Sequence, residues 1–136
     1  MREPYKSIAN WYALKHADAY LIKGIAENER GNTGGAFEML NKVRVARGMQ
    51  KYNKADIPME KQNLRELLFK EKAREDAFEG KRWYDLLLRE TVLGETGIIA
   101  RTVSAKYDDE SRRNEVYNRL LNESSWYLPI EPERWK

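Results

Sequence analysis

Glu71, Glu75 and Glu79 recur at four-residue intervals, so a helix through them sets all three carboxylates near one face. Two carboxylates flanking a glycosidic bond are what glycoside hydrolysis requires. Acids at this spacing on one helix point the same way, however, and do not easily straddle a sugar ring. Lys72, Arg74, Lys81 and Arg82 lie in the same segment, and buried charges are paired or neutralised because an unpaired one costs several kcal/mol. The favoured reading is therefore a partly buried ion network of Glu71, Arg74, Glu75, Glu79 and Arg82. A small glycosidase using Glu71 and Glu75 is the alternative.

No other chemistry has an address in the chain. His16 is the single histidine and there is no cysteine, so a zinc site or a disulfide framework lacks its ligands. No serine sits in a nucleophile elbow. Gly34-Gly35 lacks the glycine and lysine that would complete a phosphate loop. The expectation is no catalytic residue, no metal and no cofactor, with His16 on the outer side of the first helix. Trp83 and Tyr84, and the terminal group Trp126, Tyr127 and Trp135, could stack on sugar rings or seal apolar surface. Composition leaves both open.

The chain has 136 residues, of which 41% are hydrophobic and 35% charged, which describes one globular domain with a modest core. Its net charge of +3 comes from 25 basic and 22 acidic residues, interleaved rather than gathered. A nucleic-acid binder would present a basic stripe free of acids, whereas the segment 61–82 carries five. Nucleic acid is not an expected partner. No apolar run approaches the roughly 20 residues of a membrane span.

Helical periodicity sets the elements that must hold the acids. Ser7 can cap a first helix with Leu14, Ala17, Leu21 and Ile25 on its apolar side, ending near Gly31. Ala13, Ala17 and Gly24 would let a neighbouring helix come close. A turn at Asn32-Thr33-Gly34 leads to a second helix from Gly35 to Arg47, and the pair 8–48 is an antiparallel hairpin of tetratricopeptide-like size. A long charged helix follows over 57–90, with Pro58 in its first turn and a break at Gly80. Its stripe is Leu64, Leu67, Leu68, Glu71, Glu75 and Phe78. In the variable stretch 91–125, Ile98 to Val103 is β-compatible and a helix spans Asp109 to Leu121. The segment 126–136 contains Pro129 and Pro132 and reads as extended. The fold class is all-α.

Three segments, in order, resemble a known family. In the first hairpin, Ala17-Asp18-Ala19-Tyr20-Leu21 looks like its R-Y-A-D-V-x-L-x-x-A-E-A helix, and Leu40-Asn41-Lys42-Val43-Arg44 is close to its L-N-x-V-R-x-R-A-G. Glu71-Lys72-Ala73-Arg74-Glu75 through Glu79-Gly80-Lys81-Arg82-Trp83-Tyr84-Asp85-Leu86 resembles its motif E-R-x-x-E-x-x-x-E-G-x-R-W-x-D-L, with Lys72 in place of arginine. Tyr127-Leu128-Pro129-Ile130 looks like its C-terminal Y-L-P-I, without the proline that usually follows. The family is that of the SusD/RagB-like nutrient-binding lipoproteins.

The resemblance implies that residues 1–136 are a single C-terminal helical region, a fragment of a larger SusD-like fold built from tetratricopeptide-like helix pairs. It also implies a function without catalysis: binding of starch or another glycan at the outer membrane and delivery to a SusC-like TonB-dependent transporter. Membrane attachment would come only through a lipid anchor, which these residues do not contain. No binding residue carries over by motif; Tyr107, Asp108 and Asp109 in the variable stretch are the ligand candidates. A helical module that binds another protein is the second alternative.

Overall fold

Leu21, Gly24, Ile25 and Asn28 fall at three- and four-residue spacing and are all buried, on α1 (His16–Glu29). In the computed structural model, residues 14–127 are described, and they form helices and turns with no strand among them. Helix α1 opens after Lys15, whose extended backbone donates its N–H to the Asp18 carboxylate at 2.9 Å. That bond fixes the helix start, so Leu14 lies ahead of it and is 62% exposed rather than part of the apolar stripe. Ser7, expected as the cap, lies outside the described residues.

Arg30 ends α1 and Gly31, at φ +87°, turns the chain. The Asn32 side chain then accepts from the Gly35 N–H at 3.0 Å, so α2 begins at Thr33 and runs to Ala46. Sequence placed this start two residues later, because the capping role of Asn32 was read as part of a turn. The two helices pack closely at Gly24. A Cβ placed there would lie 3.2 Å from Cβ of Met39 and 2.8 Å from Cδ2 of Leu68, so both neighbouring helices pack against bare backbone.

The third helix, α3 (Lys61–Glu75), lies against both α1 and α2. Its expected start at residue 57 is overturned: Glu60 is extended, and Pro58 stands before the helix rather than in its first turn. The Lys61 ammonium and carbonyl bond instead to the Glu29 carbonyl and the Asn28 carboxamide, both at 2.9 Å. Leu64, Leu68 and Phe69 are fully buried, as are Leu21 and Leu40 opposite. Phe78 does not continue this stripe. The helix stops at Glu75, Asp76 turns inward, and Phe78 sits fully exposed at φ +68°, a conformation uncommon for a bulky residue.

The chain divides into two compact units, meeting at Phe78 and Glu79. In the second, α4 (Arg82–Leu87) runs on into a π-helical turn, Leu88–Val92. Then come α5 (Ile98–Ser104), α6 (Glu110–Leu120) and a 3-10 turn, Glu123–Trp126. The β-compatible stretch from Ile98 is thus helical. Gly97 at φ +78° starts the turn, and the Glu90 carboxylate accepts from the N–H groups of Gly97 and Ile99, the latter at 3.0 Å. Ile99, Ala100 and Ser104 are buried, at helical spacing. Helix α6 lies where its pattern placed it, packed on α5 and capped by Asp109. Trp126 donates its indole N–H to the Leu120 carbonyl at 2.8 Å. The expected extended end beyond Tyr127, with Trp135, lies outside the described residues. No described helix is long and apolar enough to cross a membrane.

Candidate functional site

The acids of α3 face α2, not a cleft. The Glu71 side chain is 1% exposed, and its Oε2 accepts from Nη1 of Arg44 at 3.1 Å and from Nη1 of Arg74 at 2.8 Å. One turn on, Glu75 receives a two-pronged bond from Arg47, with Nε at 2.8 Å and Nη2 at 2.7 Å. This fork geometry is the strong form of a carboxylate–guanidinium pair. The buried Asp76 carboxylate bonds to the Lys72 ammonium, and the Lys15 ammonium lies 3.7 Å away while donating to the Glu75 carbonyl at 2.7 Å. In the second unit Glu79 pairs with Lys81 at 3.1 Å, and Arg82 opens α4.

Arg44 and Arg47 are therefore the partners that sequence reasoning missed. The signal was present, since both lie at the end of α2, three residues apart, where a helix crossing α3 brings them to its acids. Bonding to Glu75 holds the Arg47 pKa above its ordinary value. That of Arg74 is also raised, first by its bond to the Tyr52 hydroxyl and then, against partial burial, by Glu71.

Tyr52 gathers these groups. The Arg44 guanidinium lies over its ring at 3.8 Å, within the range of a cation–π contact. Its backbone N–H and carbonyl bond to the two ends of the Asn41 carboxamide at 2.8 and 3.1 Å. Arg44 also donates through Nε to the Gln50 carbonyl at 3.0 Å. The linker between α2 and α3 has no regular structure, yet it is clamped to both helices.

A third cluster joins α1 to α3. Arg65 donates to Glu29 through Nε at 2.6 Å and Nη2 at 2.5 Å, and Lys61 adds a contact at 2.9 Å. Partial burial alone would raise the Glu29 carboxyl; the bonds from Arg65 and Lys61 outweigh it and hold the pKa below 4.5. A lowered folded-state pKa stabilises the fold above the unfolded value, and that contribution is lost as pH falls through the folded value. Thermal melts of the protein should thus show a loss below pH 4.5 that is smaller in a Glu29→Gln variant. Parallel curves for the two proteins would remove Glu29 from the acid response.

The remaining candidates lie apart from these clusters. Asp109 accepts from the Arg112 N–H at 2.7 Å, so its carboxylate caps α6. Arg113 bonds to the carbonyls of Tyr107 and Asp108 at 2.9 and 3.2 Å, and the Arg112 guanidinium stands 5.6 Å from the Tyr107 ring. Trp83 is half-buried, while Tyr84 is 71% exposed and follows one face with exposed Leu88 and Val92. His16 is exposed. Among the described residues no group of three or more His, Cys, Asp or Glu is placed to hold a metal ion.

Comparison with known proteins decides the family. A sequence profile of the SusD family matches residues 1–134. The chain belongs to the SusD family. A SusD-like protein of Formosa agariphila is 32% identical over 83 residues, which cover 57% of this chain and 16% of that protein. The chain thus spans a small part of the length of the curated relative it matches. No solved structure matches it. The all-helical architecture agrees with a fragment of a SusD-like helical fold.

Proposed function

We propose that this SusD-family chain belongs to a protein that binds an oligosaccharide at the outer-membrane surface and passes it to a SusC-like TonB-dependent transporter, making and breaking no bond. Family membership supports glycan capture for nutrient uptake. The observation that carries the non-catalytic reading is the state of the two acids that could have served hydrolysis. Glu71 and Glu75 each accept from arginine and lie at a helix–helix interface, where neither can reach across a sugar ring. In this reading Glu71, Arg74 and Glu75, with Arg44 and Arg47, brace the scaffold, and Glu79 is held locally by Lys81.

Within the described residues, sugar contact would fall to the Tyr107 ring and the Asp108 carboxylate, because the Asp109 carboxylate is already committed to α6. A lipid anchor would hold the parent protein at the membrane. Calorimetric titration of the chain with a panel of soluble plant and host oligosaccharides tests the proposal. Saturable heat, reduced by Tyr107→Ala, is the expected result. Saturable heat that Tyr107→Ala and Asp108→Ala leave unchanged would place the contact elsewhere, and heat with no oligosaccharide would oppose capture by this part of the protein.

A further inference from the structure

The linker between α2 and α3 has little burial to hold it. Gly48, at φ +71°, turns the chain out of α2, and Glu60 is extended ahead of α3. No residue from 48 to 60 is buried, and across 50–56 every residue except Tyr52 is exposed. Among the described residues, the bonds that tie 50–56 to the helices come from Tyr52 and the adjacent Gln50 carbonyl. Asn41 brackets the Tyr52 backbone, accepting from its N–H at 2.8 Å and donating to its carbonyl at 3.1 Å. Arg44 lies 3.8 Å from the Tyr52 ring centre and donates to the Gln50 carbonyl at 3.0 Å, and Arg74 bonds to the Tyr52 hydroxyl.

The same two arginines are the partners of Glu71, Arg44 at 3.1 Å and Arg74 at 2.8 Å. The Tyr52 ring thus covers a guanidinium whose other bond goes to a carboxylate sealed from water. A charge pair kept out of water attracts more strongly than a hydrated one, so the ring protects the joint between α2 and α3. A segment with exposed backbone and few buried contacts opens at a lower free energy than the packed helices beside it.

We propose that residues 50–56 form a strap latched at Tyr52, which opens while the helices stay folded and in opening uncovers the Arg44–Glu71 pair and loosens the α2–α3 joint. Closed, the strap keeps that pair dry and the two helices tightly joined. Open, it admits water to Arg44 and leaves the joint to the Arg47–Glu75 pair and the apolar contacts. The device belongs to the first unit alone and does not depend on glycan capture.

Trypsin reads the opening, because Lys51 and Lys54 are exposed on the strap but are cut only when the backbone around them leaves its anchors and extends. The whole chain is digested under native conditions and the fragments followed by mass spectrometry. The expected result is cleavage after Lys51 and Lys54 ahead of any cut within α1, α2 or α3, at a rate that low urea scarcely changes. Tyr52→Ala should speed it about tenfold, the loss of a ring contact and its hydrogen bonds. Tyr52→Phe, which keeps the ring on Arg44, should speed it less. Equal rates in all three proteins, or a rate that rises with urea as steeply as unfolding itself, would overturn the proposal. The joint is read separately, from urea midpoints of Tyr52→Ala, Glu71→Ala and the double variant. Losses smaller together than in sum are expected, since both changes act on Arg44; additive losses would mean that the strap does not bear on the joint and would overturn the proposal too.

Discussion

Replacing Glu71 with alanine is expected to destabilise the first unit by about 3 kcal/mol, at the lower end of what breaking a buried ion pair costs. The carboxylate is 1% exposed and Arg44 only 12%, so its removal leaves a guanidinium facing a helix interface without its anion. Two features keep the loss from reaching the upper end. Arg74, the second partner, is 47% exposed and can turn to water. Arg44 retains the Tyr52 ring and the Gln50 carbonyl. In urea the midpoint should fall with the slope unchanged, and Glu71→Gln, which keeps an acceptor, should lose less than Glu71→Ala. A loss below about 0.5 kcal/mol, typical of a surface site, would mean that the carboxylate is not braced as described.

Phe69→Ala is expected to cost about 3–5 kcal/mol, the range for emptying a buried phenylalanine site. Its ring is fully buried on α3, a helix that packs against both α1 and α2. Phe78→Ala should change stability by less than about 0.5 kcal/mol, because that ring is fully exposed. The contrast between these two phenylalanines, read by thermal or urea unfolding, tests which of them belongs to the core. Similar losses for both would contradict the end of α3 at Glu75.

The legible parts of the fold were those governed by local periodicity. Leu21 and Ile25 announced α1, and the helices expected over Gly35 to Arg47 and Asp109 to Leu121 match α2 and α6 to within two residues. The errors came from tertiary choices. Helix α3 packs on two neighbours, which widens its buried arc to include Phe69, Arg65 and Lys72; a single stripe aimed at one neighbour missed them. Its end was placed at the glycine, but the buried Asp76 with Lys72 and Lys15 turns the chain earlier. The Ile98 stretch has β-branched residues, yet the Glu90 carboxylate, some eight positions upstream, nucleates a helix there. Propensity alone does not see a cap supplied from so far away.

The acids show the same division. Their clustering on one face and their need for cations were visible in the sequence, and Glu71 with Arg74 is a local pair at three-residue spacing. Arg44 and Arg47 are remote in sequence, 27 and 28 residues away, and only the crossing of α2 with α3 brings them in. Glu71 and Glu75, the first two acids of the family motif, thus join α3 to α2.

The same oligosaccharide titrations, assayed for new reducing ends and repeated with Glu75→Gln, test the central claim most directly. The account predicts no reducing ends from either protein and a lower unfolding midpoint for Glu75→Gln, which loses the charge that holds Arg47. Reducing ends released by the unaltered chain and abolished by Glu75→Gln, with an unchanged midpoint, would contradict it and make these carboxylates catalytic.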